Sequence, residues 1–388
     1  MKNTNSSLWL AVAAVAFVAA ACAQDTSMPT ERAISSADRG ISADKGGPNE
    51  HSDGNADEGA FTYAVIGDFP YGPVKRSELP ALVDLINADP AVERVLHAGD
   101  IKAGSASDCS DAYFQDIRTQ FDRFQDPLVY TPGDNEWTDC HVAFKNNGLY
   151  LPTERLQKIR SLFFPVAGRT IGVHADNVTS QAQVDPPNAA YIENVTWVHS
   201  KVVFASLNIT GSNDDTAPWA STPPVQSPPE LPGPVNTWAA QLAQQPAEIA
   251  SRTQASFAWL DRVFANAHTD SRAVVLLFQA DMWDGTLANR STTISAYDAM
   301  VVKIGTLAAQ YGKPVLLIEG DSHIFRVDQP YMSNSPLFVL HPNTPIAPNV
   351  TRMVMNGSSS RTEYVRLTID PKAKGVSPFT FVEVPLNP

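Results

Sequence analysis

Three side chains able to bind a cation or polarise a substrate follow a single turn. Asp134, Asn135 and Glu136 come directly after Thr131-Pro132-Gly133, and Trp137 closes the stretch. The same design, an apolar run ending in glycine and then a carboxylate, occurs three more times. It is seen in Tyr63-Ala64-Val65-Ile66-Gly67-Asp68, in Arg94-Val95-Leu96-His97-Ala98-Gly99-Asp100 and in Val315-Leu316-Leu317-Ile318-Glu319-Gly320-Asp321-Ser322-His323. Aspartate after glycine at a strand end is ordinary turn chemistry, so any one instance says little. Four in series exceed what packing requires. Carboxylates, an amide oxygen and an imidazole from Asp68, Asp100, Asp134, Asn135, Asp321 and His323 suit a divalent metal site. Two such metals side by side would clamp a phosphate and lower the pKa of a water between them.

Positioning these residues requires strands whose ends share one edge. From Phe61 to Trp137 strand and helix alternate. After the first strand, Leu79, Leu82, Val83, Leu85 and Ile86 recur at helical spacing over 79–88. A second strand is predicted over 94–98, then a Ser/Asp loop over 103–112. A helix carrying Phe114, Ile117, Phe121 and Phe124 follows, and a third strand over 127–130. This βαβαβ order implies parallel strands with their ligand-carrying ends on one side.

Downstream, Leu156, Ile159, Leu162 and Phe163 predict a helix over 153–164, and residues 191–198 with 201–209 predict a hairpin around His199-Ser200. Residues 212–248 are poor in apolar side chains and rich in proline, and read as a long inserted loop. Such a loop is either a lid or binding surface or a decorative insertion. Phe257, Leu260, Val263 and Phe264 place a helix over 253–267, followed by a strand over 273–278, a helix over 293–310 and a strand over 314–318. The end reverts to strands over 352–355, 363–369 and 379–384. The whole predicts an α/β fold of two packed, mixed sheets flanked by helices.

At 388 residues and 43% hydrophobic content, the chain can bury a substantial core. Its net charge of −13 argues against nucleic acid as a partner, because phosphate backbones are held by Lys and Arg. Residues 23–59 carry eight acids and three bases, yet outside them and Lys2 there are still 33 acids against 24 bases. An anionic substrate would therefore need a cation to hold it.

Lys2 and the 14-residue apolar run over 8–21 predict an export signal peptide over 1–21, too short to span a membrane. It ends in Ala19-Ala20-Ala21-Cys22, like a bacterial lipoprotein box with Cys22 as the lipidated residue. Ordinary signal-peptidase cleavage and a secreted, soluble product is the alternative. Residues 22–59 read as a polar, disordered tether and 60–388 as the folded domain. Membrane contact is expected only through the lipid anchor, in the periplasm or at the outer membrane. With Cys22 acylated, Cys109 and Cys140 are left as a pair that either bridges in an oxidising compartment or stays reduced.

In order and spacing, the strand ends over roughly 61–370 resemble the calcineurin-like metallophosphoesterase family, which includes the purple acid phosphatases. Gly-Asp-x-Pro-Tyr at 67–71 and Gly-Asp-Asn-Glu-Trp at 133–137 resemble a bacterial subgroup of it. The resemblance implies an α/β/β/α four-layer sandwich with the metal site at the C-terminal edge of the strands. It implies Asp68 as a ligand and Asp100 as the carboxylate that bridges both metals. Read without a gap, Asp134 takes the place of an asparagine ligand, and Asn135 that of the histidine that stabilises the transferring phosphoryl group. Pro70 stands where the first motif has a histidine and cannot bind metal; Tyr71 beside it either binds in its stead or is a buried or capping tyrosine. The fourth motif's histidine is replaced by Gln279, or by Asp281 two residues on. In the fifth, His323 is kept and Asp321 replaces the first histidine.

These exchanges trade imidazole for oxygen. The shell becomes harder and more negative, which favours one or two Mn, Mg or Ca ions over Zn, with Fe possible. More carboxylates also leave a bound water less acidic, so a separate acid or base is expected. His97, just before Gly99-Asp100, and His141, beside Cys140, are the candidates. A Cys109–Cys140 bridge would brace the loops behind the second and third strands. The expected activity is hydrolysis of a phosphomonoester or phosphodiester by a metal-activated water, with a phosphate-ester small molecule as partner. The alternative is a non-catalytic metal- or ligand-binding surface lipoprotein on a degenerate phosphoesterase scaffold. Oligomeric state is left open.

Overall fold

The computed structural model describes residues 59–104, 109–141, 150–219, 238–375 and 377–387. The signal peptide, Cys22 and almost all of the tether lie outside the described residues. Strands form where apolar, β-branched runs were predicted. β1 (Phe61–Ile66), β2 (Val92–His97) and β3 (Leu128–Tyr130) pair in parallel. β11 (Glu363–Ile369) lies antiparallel to β1 and to β12 (Phe379–Pro385), which gives a five-stranded sheet ordered β12-β11-β1-β2-β3.

The second sheet has seven strands. In spatial order they are β4 (Thr179–Ser180), β5 (Val195–His199), β6 (Val202–Ser206), β7 (Ala273–Leu277), β8 (Val315–Glu319), β10 (Val350–Val354) and β9 (Arg326–Asp328). β6, β7, β8 and β10 are parallel, β5 and β9 run against them, and β4 is antiparallel to β5. The helices are α1 (Gly72–Asn87), α2 (Asp111–Phe121), α3 (Pro152–Phe163), α4 (Gln181–Val184), α6 (Trp238–Ala267), α7 (Arg290–Thr293) and α8 (Asp298–Tyr311). The five residues of α5 (Gly211–Asp215) form a left-handed turn rather than an ordinary helix.

Successive side chains of a strand point to opposite faces, and this sorts the core into layers. Phe61, Tyr63 and Val65 of β1 meet Phe204, Val275, Leu277, Leu316 and Ile318 between the sheets. Ala64 and Ile66 face the other way, onto Leu79, Leu82 and Val83 of α1 and Phe114, Ile117 and Phe121 of α2. Behind the second sheet, Val274, Leu276, Val315 and Leu317 pack on Trp259, Leu260 and Val263 of α6 and on Val301 and Ile304 of α8. Helix, sheet, sheet, helix is the four-layer sandwich expected. Cys109 and Cys140 form a disulfide that joins the loop before α2 to the 3-10 turn Thr138–His141 after β3.

Three local expectations need correction. The hairpin turns at Ser200-Lys201, both left-handed, one residue later than predicted. The helix expected over 293–310 is broken into α7, a 3-10 turn at Ser295–Tyr297 and α8. The stretch over 212–248 is not all loop, because α6 begins at Trp238 and passes through Pro246. Alanine and glutamine dominate its first turns, and both favour helix without writing an apolar stripe. Residues 220–237 of that stretch lie outside the described residues. No helix among the described residues is long and apolar enough to cross a membrane.

Candidate metal centre

The C-terminal ends of the parallel strands in both sheets meet. The Asp321 backbone N–H, after β8, donates to Asp68 Oδ1, after β1, at 2.9 Å. Gln279 Nε2, after β7, donates to Asp134 Oδ1, after β3, at 3.1 Å. Ser212 Oγ, after β6, donates to Asp134 Oδ2 at 2.5 Å. The structure thus brings Asp68, Asp100, Asp134, Asn135, Gln279, Asp321 and His323 together from both sheets.

Local backbone shape explains how the turns deliver carboxylates. Asp68, Asp100, Asp321 and His323 all have left-handed backbones, at φ 48°, 56°, 69° and 57°. Such residues carry a conformational cost of about 1–2 kcal/mol each, and Asp is among the few types that accept it. Strain of this kind gathers at functional sites when the surroundings over-determine it. The glycines allow close approach: a Cβ on Gly133 would lie 2.0 Å from Asp100 Oδ1, and one on Gly320 would lie 2.2 Å from Asp68 Oδ2. Gly133→Ala is accordingly expected to lower stability by about 1–3 kcal/mol, the usual cost of overpacking. A urea titration with an unchanged midpoint would contradict this contact.

Hydrogen bonds tie the acids into one cluster. Asp100 Oδ1 accepts from the Asn135 backbone N–H at 3.0 Å, and Oδ2 accepts from Tyr71 Oη at 2.7 Å and from Asn135 Nδ2. Tyr71 Oη lies 3.4 Å from Asp68 Oδ1 and itself accepts from Asn135 Nδ2 at 2.9 Å. His323 Nε2 stands 3.5 Å from Asp68 Oδ1. Asp68 Oδ2 is buried and has no partner among the described residues.

The electrostatics follow from four acids crowded at one edge. Burial, then the charges of Asp134, Glu136 and Asp68, hold the Asp100 carboxyl well above the usual range. Burial, then Asp134 and Asp68, does the same to Asp321. Burial raises Asp68 despite the opposing pull of His323. Burial alone would lower His323, but its bond to Asp68 outweighs this and raises it. Such a cluster holds protons more firmly than isolated carboxyls do.

Two expected site residues lie elsewhere. His97 is corrected from acid–base candidate to core residue. The Gly99 N–H donates to its Nδ1 at 3.2 Å, so Nε2 carries the proton and donates to the Phe69 carbonyl at 3.0 Å. Its ring packs against Phe121 and Tyr130, and burial pushes its pKa down to about 4. Asp281 is corrected from ligand candidate to ion-pair partner, held by Arg352 at 2.5 Å and Arg326 at 3.0 Å. Of the two alternatives for the fourth motif, Gln279 is the one among the acids. His141 ends the 3-10 turn Thr138–His141 on the disulfide side, with Nδ1 donating to the Thr138 carbonyl. Glu136 accepts from the Gly133 N–H and from Tyr130 Oη, and so braces the loop. Trp137 and Trp283 are buried.

Sequence reasoning missed two groups. Lys102 is buried with its ammonium on the carbonyls of Ala103 and Asn135, at 2.7 and 2.8 Å. Burial brings it down to about 8 against the pull of Asp139, Glu136, Asp100 and Asp134. Its signal was its place two residues after Asp100. The other is α5, where Ser212, Asn213, Asp214 and Asp215 are left-handed in succession. Ser, Asn and Asp are common turn formers, and that was its signal.

The residue types at this edge are those that bind hard divalent cations. The donor set is hard oxygen plus one imidazole, and the buried, unpartnered Asp68 Oδ2 needs a positive neighbour. Among the described residues no group of three or more His, Cys, Asp or Glu side chains stands placed to hold a metal ion. Tyr71, Asn135, Ser212 and Gln279 are interleaved among the acids by the bonds given above.

No family model matches the chain, and no curated protein matches it. Among solved structures, GAP50, the anchor in the inner membrane complex of Plasmodium, is similar over 85% of this chain and 86% of its own, at 11% identity and a TM-score of 0.44.

Proposed function

We propose that this chain is a metal-dependent hydrolase of phosphomonoesters or phosphodiesters, of the calcineurin-like kind that its motifs resemble. The observation that carries the reading is the delivery of Asp68, Asp100, Asp134 and Asp321 from both sheets to one edge, with Asp68 Oδ2 buried and without a partner among the described residues. A divalent ion held there would neutralise phosphoryl charge and lower the pKa of a water. Asp68, Asp321, His323 and Asp134 are the residues to hold it. Asn135 Nδ2 is a hydrogen-bond donor for a phosphoryl oxygen, and it can rotate from Asp100 to make that bond. Lys102 fixes the Asn135 backbone from behind. The buried disulfide supports the expectation of export, because such bonds persist in oxidising compartments.

The test is hydrolysis of chromogenic phosphate mono- and diesters by the full chain with manganese added. Turnover that vanishes in Asp100→Asn is the expected result. Absence of turnover with any divalent ion at acid, neutral and alkaline pH would overturn the proposal.

A second reading, a non-catalytic cation-binding surface protein, is favoured by one observation. Tyr71 Oη fills the gap between Asp68 and Asp100. Cation binding without turnover would select it.

A further inference from the structure

We propose that the edge opposite the acid cluster is a docking surface for an anionic lipid membrane, and that docking there turns the cluster away from the membrane. The proposal stands apart from the hydrolase reading and does not depend on it. Its starting point is where the chain enters the body. Phe61 opens β1 and pairs with Ile369, the last residue of β11, so Gly59 and Ala60 lie beside the turn 370–378 that joins β11 to β12. The N-terminal ends of β7 and β8 reach the same edge. There Arg272 and Lys313, with Pro314, share a groove of about 410 Å³ with Pro371, Ala373 and Pro378 of that turn.

This edge is basic in an acidic protein. Arg272, Lys313, Lys372 and Lys374 are exposed, and Lys201 is half-buried beside them, paired with Asp270 at 3.2 Å. Across residues 201, 270–273, 313–314 and 370–378 there are five cations against two acids, Asp270 and Asp370, whereas the whole chain has 41 acids to 28 bases. Lys313 Nζ donates to the Ser271 carbonyl at 2.7 Å, a contact that orients the ammonium without neutralising it. Each Lys or Arg brought to an anionic lipid surface raises affinity by about a factor of five.

Two features favour a membrane over a small soluble anion. The five cations come from four segments, and most are exposed, which suits an extended surface. The chain also joins the body here: Cys22, the residue expected to be lipidated, is 37 positions before Gly59, so an anchor there would bring this edge to the membrane. The six residues of β1 span about 20 Å, which sets the cluster at the far end of the strands, open to a substrate arriving from solution.

The experiment is sedimentation of the full chain with vesicles of phosphatidylcholine, alone or mixed with phosphatidylglycerol. Preferential binding to the mixed vesicles, weakened by salt, is expected. Arg272→Gln/Lys372→Gln/Lys374→Gln should lower it by about 100-fold. Lys372→Gln/Lys374→Gln, confined to one exposed turn, should lower it by about 30-fold and decides the matter if the triple variant does not fold. Arg262→Gln/Lys303→Gln, on α6 and α8, should leave it unchanged. An equal loss in that control, no loss in the edge variants, or no preference for anionic vesicles would overturn the inference. Release by inorganic phosphate beyond that by chloride at the same ionic strength would also overturn it, and would make the groove a site for a soluble anion.

Discussion

Asp321→Asn is expected to make the cation-free chain more stable at neutral pH while removing hydrolysis. Burial and the charges of Asp134 and Asp68 raise the Asp321 carboxyl above its ordinary value of 3.8. A group whose pKa is higher folded than unfolded stabilises the fold fully below the unfolded value, and that contribution is lost as pH rises through the folded value. Asp68 and Asp100 are raised in the same direction, and so is His323 from 6.5. The cation-free protein should therefore melt at a higher temperature in mild acid than at neutrality. Asparagine keeps the shape, accepts the left-handed backbone at φ 69° and leaves the backbone bond to Asp68 in place.

The expected gain is about 1–2 kcal/mol at neutral pH, the usual size when a destabilising functional group is removed. Hydrolysis should fall by about 100-fold or more, as when one electrostatic contact to a transition state is lost. Calorimetry in the presence of a chelator, across the acid-to-neutral range, reads the first effect. A melting temperature that rises with pH, or full activity in the variant, would refute this account of the cluster.

Arg352→Met should be the most damaging single change outside the cluster. Arg352 lies fully buried beneath the β7 and β8 exits, with Asp281 at 2.5 Å and Glu319 at 3.3 Å, both also fully buried. Its other nitrogens bind Asp328 at 2.9 and 2.7 Å. Burial holds Glu319 well above the usual carboxylate range even with the arginine present. Removing one partner of a buried ion pair costs about 3–5 kcal/mol, because the other charge is left without compensation. Glu319→Gln added to Arg352→Met should recover about 1 kcal/mol or more. Urea unfolding of the single and double variants checks both numbers; a loss below about 1 kcal/mol would mean the network is solvated.

Much of the fold was legible because strands buried on both faces are written as unbroken apolar runs. β1, β7 and β8 are of this kind, and their ends were placed to within a residue or two. The acids of the site were legible for a related reason, since each follows a strand end by a glycine. What the strand pattern does not encode is which way a side chain turns once the strand has ended. His97 and Asp281 are three and two positions from residues of the cluster, yet the first turns into the helix layer and the second toward Arg352. Tyr71 shows the reverse. Read either as a stand-in for the histidine that Pro70 replaces or as a buried or capping tyrosine, it proves to be the hydroxyl to which three site residues are bonded or turned. The start of α6 was hidden because Ala and Gln leave no stripe.

The left-handed turn at α5 has a consequence for other chains that share this architecture. Its shape is imposed from all sides: Gly211 N–H on Gln279, Ser212 on Asp134, Asp214 N–H on Tyr297 Oη at 2.8 Å, Asn213 on the Ala296 N–H at 2.9 Å, and Arg252 on Asp214. Four adjacent left-handed residues exclude valine, isoleucine and threonine, whose branched Cβ cannot follow that path. Gly-Asp at a strand end is ordinary turn chemistry, whereas Gly-Ser-Asn-Asp-Asp is confined by its backbone to the few residue types that accept four left-handed positions in a row. It is the more selective signature of this site, and any chain that keeps it can be expected to keep the partners of Ser212 as well.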